Sequence, residues 1–417
     1  MNSSSSDWSL KRIRYLFRER NEKNHPGEEP LAATQHAGVV PKTLLDFKTM
    51  EAVSSDLSLF KLVEPGDFVI SLRSFEGGLE YSGYRGILSP AYTVLSPQRD
   101  VHPNFFKHLL KSDGFVQSLA RHKKGIRDGQ AVPFNTLQDD YLLIPDLGTQ
   151  ERIANFLDEQ TARIDALIAE KERLLVAAQA HFYSRLGAAV VEGLVAGAPL
   201  APAVEKGFEA VREDWALVPL KHLASFSGGM TPSKDNELFW AGDIPWVSPK
   251  DMKRFEIYDS QDHVSQHALD ATSLKVLPPE SVLVVVRGMI LAHTFPVALN
   301  AVEVTINQDM KAMRPKGRIS SRYLAWTLRG LQSLMLSLTE ESAHGTKVLR
   351  TEQWANQAIP VPSKEEQVEL VACFELWEQQ AIQLTSHLTN HLALLKEYRS
   401  SLIAAAVTGQ LDFGALR

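Results

Sequence analysis

Residues 359–409 read IPVPSKEEQVELVACFELWEQQAIQLTSHLTNHLALLKEYRSSLIAAAVTG, and this stretch decides the fold. Apolar residues recur in it at alternating spacings of four and three, which is the heptad pattern of a coiled-coil helix. The predicted seam comprises Leu370, Phe374, Trp377, Ala381, Leu384, Leu388, His391, Leu395, Tyr398 and Leu402. A pattern of ~40 residues corresponds to a helix of about 60 Å. One small domain cannot cover a rod of that length, so we expect the helix to pair with another helix.

A second heptad pattern lies in the first half of the chain. Counted from Gln150, as the other is counted from Gln367, it contains Ile153, Leu157, Gln160, Ile164, Leu167, Lys171, Leu174 and Ala178, and the neighbours Phe156, Ile168 and Leu175 widen it. Two copies of one unit usually associate about a twofold axis, so we predict an antiparallel coiled coil with pseudo-twofold symmetry. The alternative is that each helix packs on its own domain. The predicted interface is Ile153, Leu157, Ile164, Leu167, Leu174, Leu370, Phe374, Trp377, Leu384, Leu388, Leu395 and Tyr398.

The two helices belong to a duplication of about half the chain. The matched residues are Trp8 with Trp215, Arg73 with Arg287, Gly125 with Gly345, Ile144 with Ile359, and Gln150 with Gln367. Their order is the same in both copies, and their offsets run from 207 (215 − 8) to 220 residues (345 − 125). Strand-like runs and amphipathic segments precede each helix, so the fold class is predicted to be α+β. We expect a globular domain at 1–145, a helical region at 146–196, a linker at 197–212, a second globular domain at 213–360 and a second helical region at 361–417.

The composition is that of an ordinary globular protein. The chain has 417 residues, and 44 Lys and Arg against 50 Asp and Glu give a net charge of −6, which excludes a uniformly basic nucleic-acid coat. Its single cysteine, Cys373, cannot form an intrachain disulfide and fits a reducing compartment. The polar start lacks the apolar run of a signal peptide, and the apolar run Val282–Val286 ends at Arg287. We therefore expect a cytoplasmic protein that has no membrane partner.

Motifs for catalysis are absent from the sequence. It has no phosphate-binding loop, no Gly-x-Gly-x-x-Gly loop and no zinc-finger spacing, so we expect no cofactor, no metal and no catalytic residue in this chain. One weak alternative is a metal-dependent nuclease, because Asp243 with Asp251 and Lys253 resembles an Asp/Glu-x-Lys metal site. A second alternative is a coiled-coil scaffold that binds only protein.

Basic residues favour DNA binding, since they cluster in the globular parts while acidic residues are frequent on the helices. Arg73 and Arg287 end equivalent strand-like runs, and arginine suits bidentate contacts to guanine or phosphate; a salt bridge inside each domain is the alternative. We assign Lys123, Lys124, Arg127, Lys250 and Lys347 to phosphates. Arg127 and Lys347 close equivalent glycine loops, and Thr346 lies in the second of them.

The order of these motifs resembles that of the specificity subunits of type I restriction-modification enzymes, over nearly the whole chain. The similar segments are Ile359-Pro360 followed by Gln367, Ala406-Val407-Thr408-Gly409, Gly229 to Ser233, Ile244 to Ser248, Arg287-Gly288 and Asn307 to Lys311. The first copy departs from the pattern, because Ile144-Pro145 to Gln150 is two residues shorter.

The resemblance implies a non-catalytic subunit with two target-recognition domains that read a bipartite target in double-stranded DNA, and it places Thr231 and Ser233 among the DNA-binding residues. It further implies that the helices set the spacing of the half-sites and dock two methyltransferase subunits, and that endonuclease/translocase subunits join them. S-adenosylmethionine, ATP and Mg²⁺ would belong to those partners.

Overall fold

A computed structural model describes residues 8–35, 37–45, 56–70, 77–122, 132–204, 207–342, 345–411 and 413. The chain divides into two compact units. Unit 1 contains residues 1–172 and 389–417, and unit 2 contains residues 173–388. Each unit therefore combines one globular domain with part of both long helices, which differs from the sequential division predicted from the sequence.

The globular domain of unit 1 mixes short strands and helices. Its strands are β1 (Trp8–Arg12), β2 (Phe17–Arg20), β3 (Leu31–Thr34), β4 (Gly38–Pro41), β5 (Lys61–Val63), β6 (Phe68–Ile70), β7 (Glu80–Tyr81), β8 (Gly86–Leu88), β9 (Thr93–Pro97) and β10 (Tyr141–Pro145). Its helices are α1 (Ile13–Leu16), α2 (Pro103–Leu109), α3 (Asp113–Leu119) and α4 (Phe134–Leu137). A four-stranded sheet has the order β2-β9-β6-β7. Phe17, Phe68 and Phe106 fill its core with edge-to-face contacts.

The first long helix, α5 (Leu147–Glu192), follows β10 directly. In unit 1 its start packs into the domain core through Ile153, Ala154 and Leu157, together with Ile403 and Ala406 of the last helix. The apolar positions of the heptad pattern thus bury the helix against both its own domain and the other long helix.

Unit 2 follows the same plan with a larger sheet. Its strands are β11 (Leu200–Pro202), β12 (Ala210–Arg212), β13 (Ala216–Pro219), β14 (Ala224–Gly228), β15 (Ile244–Val247), β16 (Glu256–Ile257), β17 (Asp262–Val264), β18 (Val282–Val285), β19 (Val297–Asn300), β20 (Thr305–Ile306), β21 (Met310–Pro315), β22 (Glu340–Glu341), β23 (Lys347–Val348) and β24 (Ala358–Val361). Its helices are α6 (Leu220–Leu223), α7 (Gln266–Ala271), α8 (Ser321–Gly330), α9 (Gln332–Ser337), α10 (Thr351–Ala355) and the second long helix, α11 (Lys364–Val407). The main sheet has the order β14-β21-β18-β19-β16.

Each domain has an equivalent strand pair that leads into its long helix. In unit 1 the opening strand β1 pairs antiparallel with β10, so that Ser9 lies opposite Ile144. In unit 2 β13 pairs antiparallel with β24, so that Val218 lies opposite Ile359. Both isoleucines are fully buried. The structure therefore confirms the α+β class and the plan of two domains that are each followed by a long helix.

The segment 197–212 differs from the predicted linker. Strands β11 and β12 form an antiparallel pair in it, and Phe208 and Val211 are buried in the core of unit 2. The glycine and proline residues of this segment suggested a flexible connection. The two apolar side chains instead attach it to the domain, because their burial removes them from water.

The seam of the coiled coil also differs from the predicted one. Ile153, Leu157 and Ile164 are buried, as are Leu370, Phe374 and Leu388, and Trp377 and Leu395 are half-buried. Leu167, Leu174, Leu384 and Tyr398, however, are 44–57% exposed.

The residues that follow these four exposed positions take their place in the seam, and they are half-buried: Ile168, Leu175, Thr385 and Arg399. The reason is helix geometry: a straight helix has 3.6 residues per turn, so a strict heptad pattern drifts out of phase, and the seam advances by one residue. In α11 the advance occurs where Trp377, Ala381 and Thr385 follow one another at spacings of four.

One helix, α5, is long and apolar enough by length and composition to cross a membrane, with a mean hydropathy of 1.2 over its most apolar window. Phe182, Leu186 and Val190 of this helix lie in the core of unit 2. Packing inside the unit therefore accounts for only part of its apolar character, since 22% of that window is buried. The expected absence of a membrane partner stays a prediction.

Candidate DNA-binding face

A buried glutamine fastens each globular domain to its long helix. Gln150 is the fourth residue of α5 and Gln367 the fourth of α11. The carbonyl oxygen of Gln150 accepts a hydrogen bond from the backbone N–H of His102 at 2.9 Å, and its amide nitrogen donates to the carbonyls of Asp100 and Pro145. Gln150 and Gln367 are 1% and 2% exposed, so these bonds are shielded from water.

Gln367 makes the equivalent three bonds in unit 2. Its carbonyl oxygen accepts from the backbone N–H of Ser320 at 2.9 Å, and its amide nitrogen donates to the carbonyls of Arg318 and Pro362. The loop held in each case leads into a domain helix, α2 in unit 1 and α8 in unit 2. The sequence marked these glutamines as repeated residues, but it did not reveal what they bind.

The motifs singled out in the second half converge at one face of unit 2. The backbone N–H of Met230 donates to the carbonyl of Ile306 at 3.1 Å, and the indole N–H of Trp246 donates to the carbonyl of Met230 at 3.0 Å. A Cβ at Gly229 would lie 2.1 Å from the Ile306 carbonyl oxygen, so only glycine permits this approach. The hydroxyl of Thr231 donates to the side-chain carbonyl of Gln308. Three separate segments thus form one surface.

Arg287 lies at the end of β18 on this face and is exposed. Its backbone forms an antiparallel bridge with Val348, and the N–H of Gly288 donates to the carbonyl of Lys347 at 3.0 Å. Gly288 has φ of 140°, a conformation that favours glycine. The structure therefore brings Arg287 next to the Thr346-Lys347 segment. Within the described ranges, no ion pair to the Arg287 guanidinium is found.

The remaining predicted residues of unit 2 occupy different surroundings. The Lys250 ammonium lies 2.7 Å from a carboxylate oxygen of Asp262, and the Lys347 ammonium lies 3.2 Å from one of Glu341. Either lysine must loosen that pair before it can neutralise a phosphate, so both assignments stay predictions. Ser233 accepts a backbone hydrogen bond from Asp235 at 3.4 Å, and Thr346 is half-buried.

Arg73, Lys123, Lys124 and Arg127 lie outside the described residues. Their assignment to DNA therefore stays a prediction.

Asp251, the central carboxylate of the nuclease alternative, has a structural role. One oxygen of Asp251 accepts hydrogen bonds from the backbone N–H and hydroxyl of Ser248, and the other accepts from the N–H of Gln261. Asp251 thereby closes a capping box on a short helix. Across the part of the chain that the structure describes, no group of three metal-binding side chains is found.

A cleft of about 930 Å³ lies in unit 1 between the domain and the long helices, lined by Lys107, His108, Asp158 and Arg399 among others. His108 is 7% exposed, and its ring nitrogen lies 2.8 Å from a carboxylate oxygen of Asp158. Burial lowers the pKa of His108 below its ordinary value, although Asp158 acts in the opposite direction.

The burial of His108 predicts that unit 1 loses stability on acidification. Because the folded state disfavours the protonated ring, the unfolded state binds more protons as the pH falls through the unfolded pKa of ~6.5. We expect the melting temperature to fall between about pH 7 and pH 5, and to fall less in His108→Asn. The exposed His222 provides the control, because His222→Asn should leave the pH dependence unchanged. Equal pH dependence in all three proteins would contradict the prediction.

Parts of this chain are similar in sequence to known proteins. Residues 212–394 match the family model described as "Type I restriction modification DNA specificity domain". The second globular domain is therefore similar to a type I specificity domain. The chain is 32% identical to the "Type I restriction enzyme EcoR124I/EcoR124II specificity subunit" of Escherichia coli over 176 residues, which are 42% of this chain and 44% of that protein.

It is 28% identical to the "Type I restriction enzyme MjaIX specificity subunit" of Methanocaldococcus jannaschii over 40% of this chain and 39% of that protein. The chain thus matches less than half the length of these curated relatives. The resemblance drawn from the sequence is confirmed by these matches.

Two solved structures share the fold. A chain of a structure on the complex assembly and conformational transition of the type I R-M system superposes with a TM-score of 0.76 at 18% identity, over 99% of this chain and 100% of that chain. The HsdS subunit from Thermoanaerobacter tengcongensis superposes with a TM-score of 0.56 at 19% identity, over 98% and 99%. These likenesses show that the fold is shared over nearly the whole chain.

Proposed function

We propose that the chain is a specificity subunit that reads a bipartite target in double-stranded DNA. The observation that carries the proposal is the repeated anchor: Gln150 and Gln367 fasten two separate recognition domains to two long helices through the same three hydrogen bonds. Because the two domains have the same architecture, they suit a target of two half-sites in which each domain reads one half-site. The match of residues 212–394 to a DNA specificity domain supports DNA as the ligand.

In this proposal the subunit carries no catalytic residue and directs other subunits to the target. Two methyltransferase subunits would dock on it, and endonuclease/translocase subunits would join them. S-adenosylmethionine, ATP and Mg²⁺ would be bound by those partners. The half-exposed leucines of the long helices, Leu167, Leu174 and Leu384, support a protein partner there, since apolar surface is buried at stable interfaces. The single cysteine fits a cytoplasmic location.

The decisive experiment reads methylation. The chain is produced together with a methyltransferase subunit in cells that lack other adenine methylation, and modified bases are mapped genome-wide. We expect a motif with two short defined parts and an undefined spacer, and no methylation when the chain is omitted. A continuous motif, or a motif that persists without the chain, would contradict the proposal.

The two alternatives predict other results. A nuclease would cut DNA as purified chain with Mg²⁺, and Asp251→Asn would abolish the cutting. A scaffold that binds only protein would leave the methylated motif unchanged when Arg287 or the recognition domains are altered.

A further inference from the structure

Next to Arg287 lies a cleft of about 370 Å³ in unit 2. Its floor is apolar, formed by Val286, Val348 and the buried Leu349. Its rim carries polar side chains from three segments: Arg287 after β18, Gln308 before β21 and Lys311 within β21, with Arg350 and Glu352 at the start of α10. Three positive charges thus face one negative charge around a small opening.

The free polar groups of this rim are hydrogen-bond donors. Over the residues that the structure describes, neither Arg287 nor Lys311 is ion-paired, whereas Arg350 lies 2.8 Å from a carboxylate oxygen of Glu340. The side-chain carbonyl of Gln308 accepts a hydrogen bond from the Thr231 hydroxyl, which turns the amide nitrogen away from that contact. A guanidinium, an ammonium and an amide N–H₂ therefore remain to bind a ligand that only accepts hydrogen bonds and is negatively charged.

We propose that this cleft holds a backbone phosphate of the DNA, with Arg287, Lys311 and the amide nitrogen of Gln308 as its donors and Thr231 as the residue that positions Gln308. The inference rests on the proposed function and names which residues grip the duplex in unit 2. Phosphate oxygens fit this set because they are anionic acceptors, whereas the acceptors on a base edge carry no net charge. The negative charge of Glu352 repels the phosphate and lowers the affinity of the cleft for it.

The backbone of the cleft supports a fixed geometry. The N–H groups of Val286 and Arg287 both donate to the carbonyl of Asp309, at 2.8 and 3.2 Å, and the N–H of Leu349 donates to the carbonyl of Val286 at 2.8 Å. These bonds tie the three segments together before any ligand is bound. Preorganised donors lose little freedom on binding, which favours affinity.

The salt dependence of binding by the full chain tests the inference. Affinity for a labelled duplex of mixed sequence is measured over a range of NaCl concentrations for wild type, Arg287→Gln and Lys311→Gln. Each lost phosphate contact should lower the slope of log affinity against log salt by about 0.9. Lys275→Gln and Lys364→Gln remove the same charge from exposed lysines that do not line this cleft, and they should change the slope less.

Four further variants separate the loss of a contact from a change in net charge. Glu352→Gln should tighten binding, since it removes the one carboxylate of the rim. Gln308→Ala should weaken binding without changing the slope, because it removes a neutral donor; Thr231→Val should do the same, and Thr231→Ser should restore wild-type affinity. Circular dichroism and melting temperatures show whether each variant is folded. If Lys311→Gln does not fold, Arg287→Gln provides the test, because Arg287 is exposed.

The possible failures are distinguishable. If wild type binds no DNA, with or without the methyltransferase subunit, the proposed function is wrong. If wild type binds and the slopes of Arg287→Gln and Lys311→Gln equal those of the two lysine controls, the phosphate site is wrong and the proposed function stands.

Discussion

Replacing Gln367 by alanine is expected to lower the free energy of unfolding of unit 2 by about 3–5 kcal/mol, since three backbone groups lose their partner: two part-buried groups at about 1 kcal/mol each and one buried group at ~1–3 kcal/mol. The groups are the N–H of Ser320 and the carbonyls of Arg318 and Pro362. Chemical denaturation measures the loss, and hydrogen exchange should locate it, because the amide of Ser320 becomes free to exchange with solvent.

Gln380 provides the matched control on the same helix. It is exposed, so Gln380→Ala should change stability by less than about 0.5 kcal/mol. Gln367→Glu is a sharper variant, because it keeps the shape but removes both amide donors; it should destabilise at least as much as alanine at neutral pH. A Gln367→Ala protein as stable as Gln380→Ala would mean that the three backbone groups find other partners.

The equivalent variant in unit 1 tests the repeat itself. Gln150→Ala removes the partners of His102, Asp100 and Pro145, so unit 1 should lose exchange protection while unit 2 retains it. In the methylation assay each glutamine variant should then impair recognition of one half-site. The same half-site affected by both variants would contradict the assignment of one half-site to each domain.

Periodicity in the sequence was sufficient to predict the helices, because burial repeats with helix geometry. Leu370 and Phe374 are fully buried where the heptad places them. The exact seam could not be predicted, since a straight helix and a strict heptad differ by a tenth of a residue per turn and the partner determines where the phase advances. Leu384 and Tyr398 therefore lie beside the seam.

The candidate DNA-binding face could be predicted from the sequence only in part. The motifs of Thr231, Arg287 and Lys347 could be recognised along the chain, but their convergence depends on strand pairing between distant segments. The charges that remain available depend on side-chain contacts, so the ion pair of Lys250 with Asp262 could not be foreseen. The sequence offers Lys311 only as the end of the segment from Asn307 that resembles the family, and its position beside Arg287 is what makes it a candidate for a phosphate contact.

The largest change in specificity should come from lengthening both long helices together. Residues 168–174 and 385–391 occupy equivalent positions, and each segment ends 24 residues after its anchor glutamine (174 − 150 and 391 − 367). Duplicating both segments inserts seven residues in each helix, which keeps the seam in phase and adds about 10 Å of helix, or roughly 3 base pairs of DNA. If helix length determines the distance between the half-sites, the methylated motif should keep both half-sites and gain about 3 base pairs of spacer.

Duplicating one segment alone is the control for this prediction. The inserted residues then have no counterpart, so pairs such as Asp165 with Arg399, 2.7 Å apart in unit 1, and the packing of Phe182 against the core of unit 2 cannot both be kept in register. The single insertion should therefore lower stability before it alters recognition, which a melting curve detects. A double insertion that leaves the spacer unchanged while the protein stays folded would mean that helix length does not determine the spacing, and that direct contacts of the recognition domains set it instead.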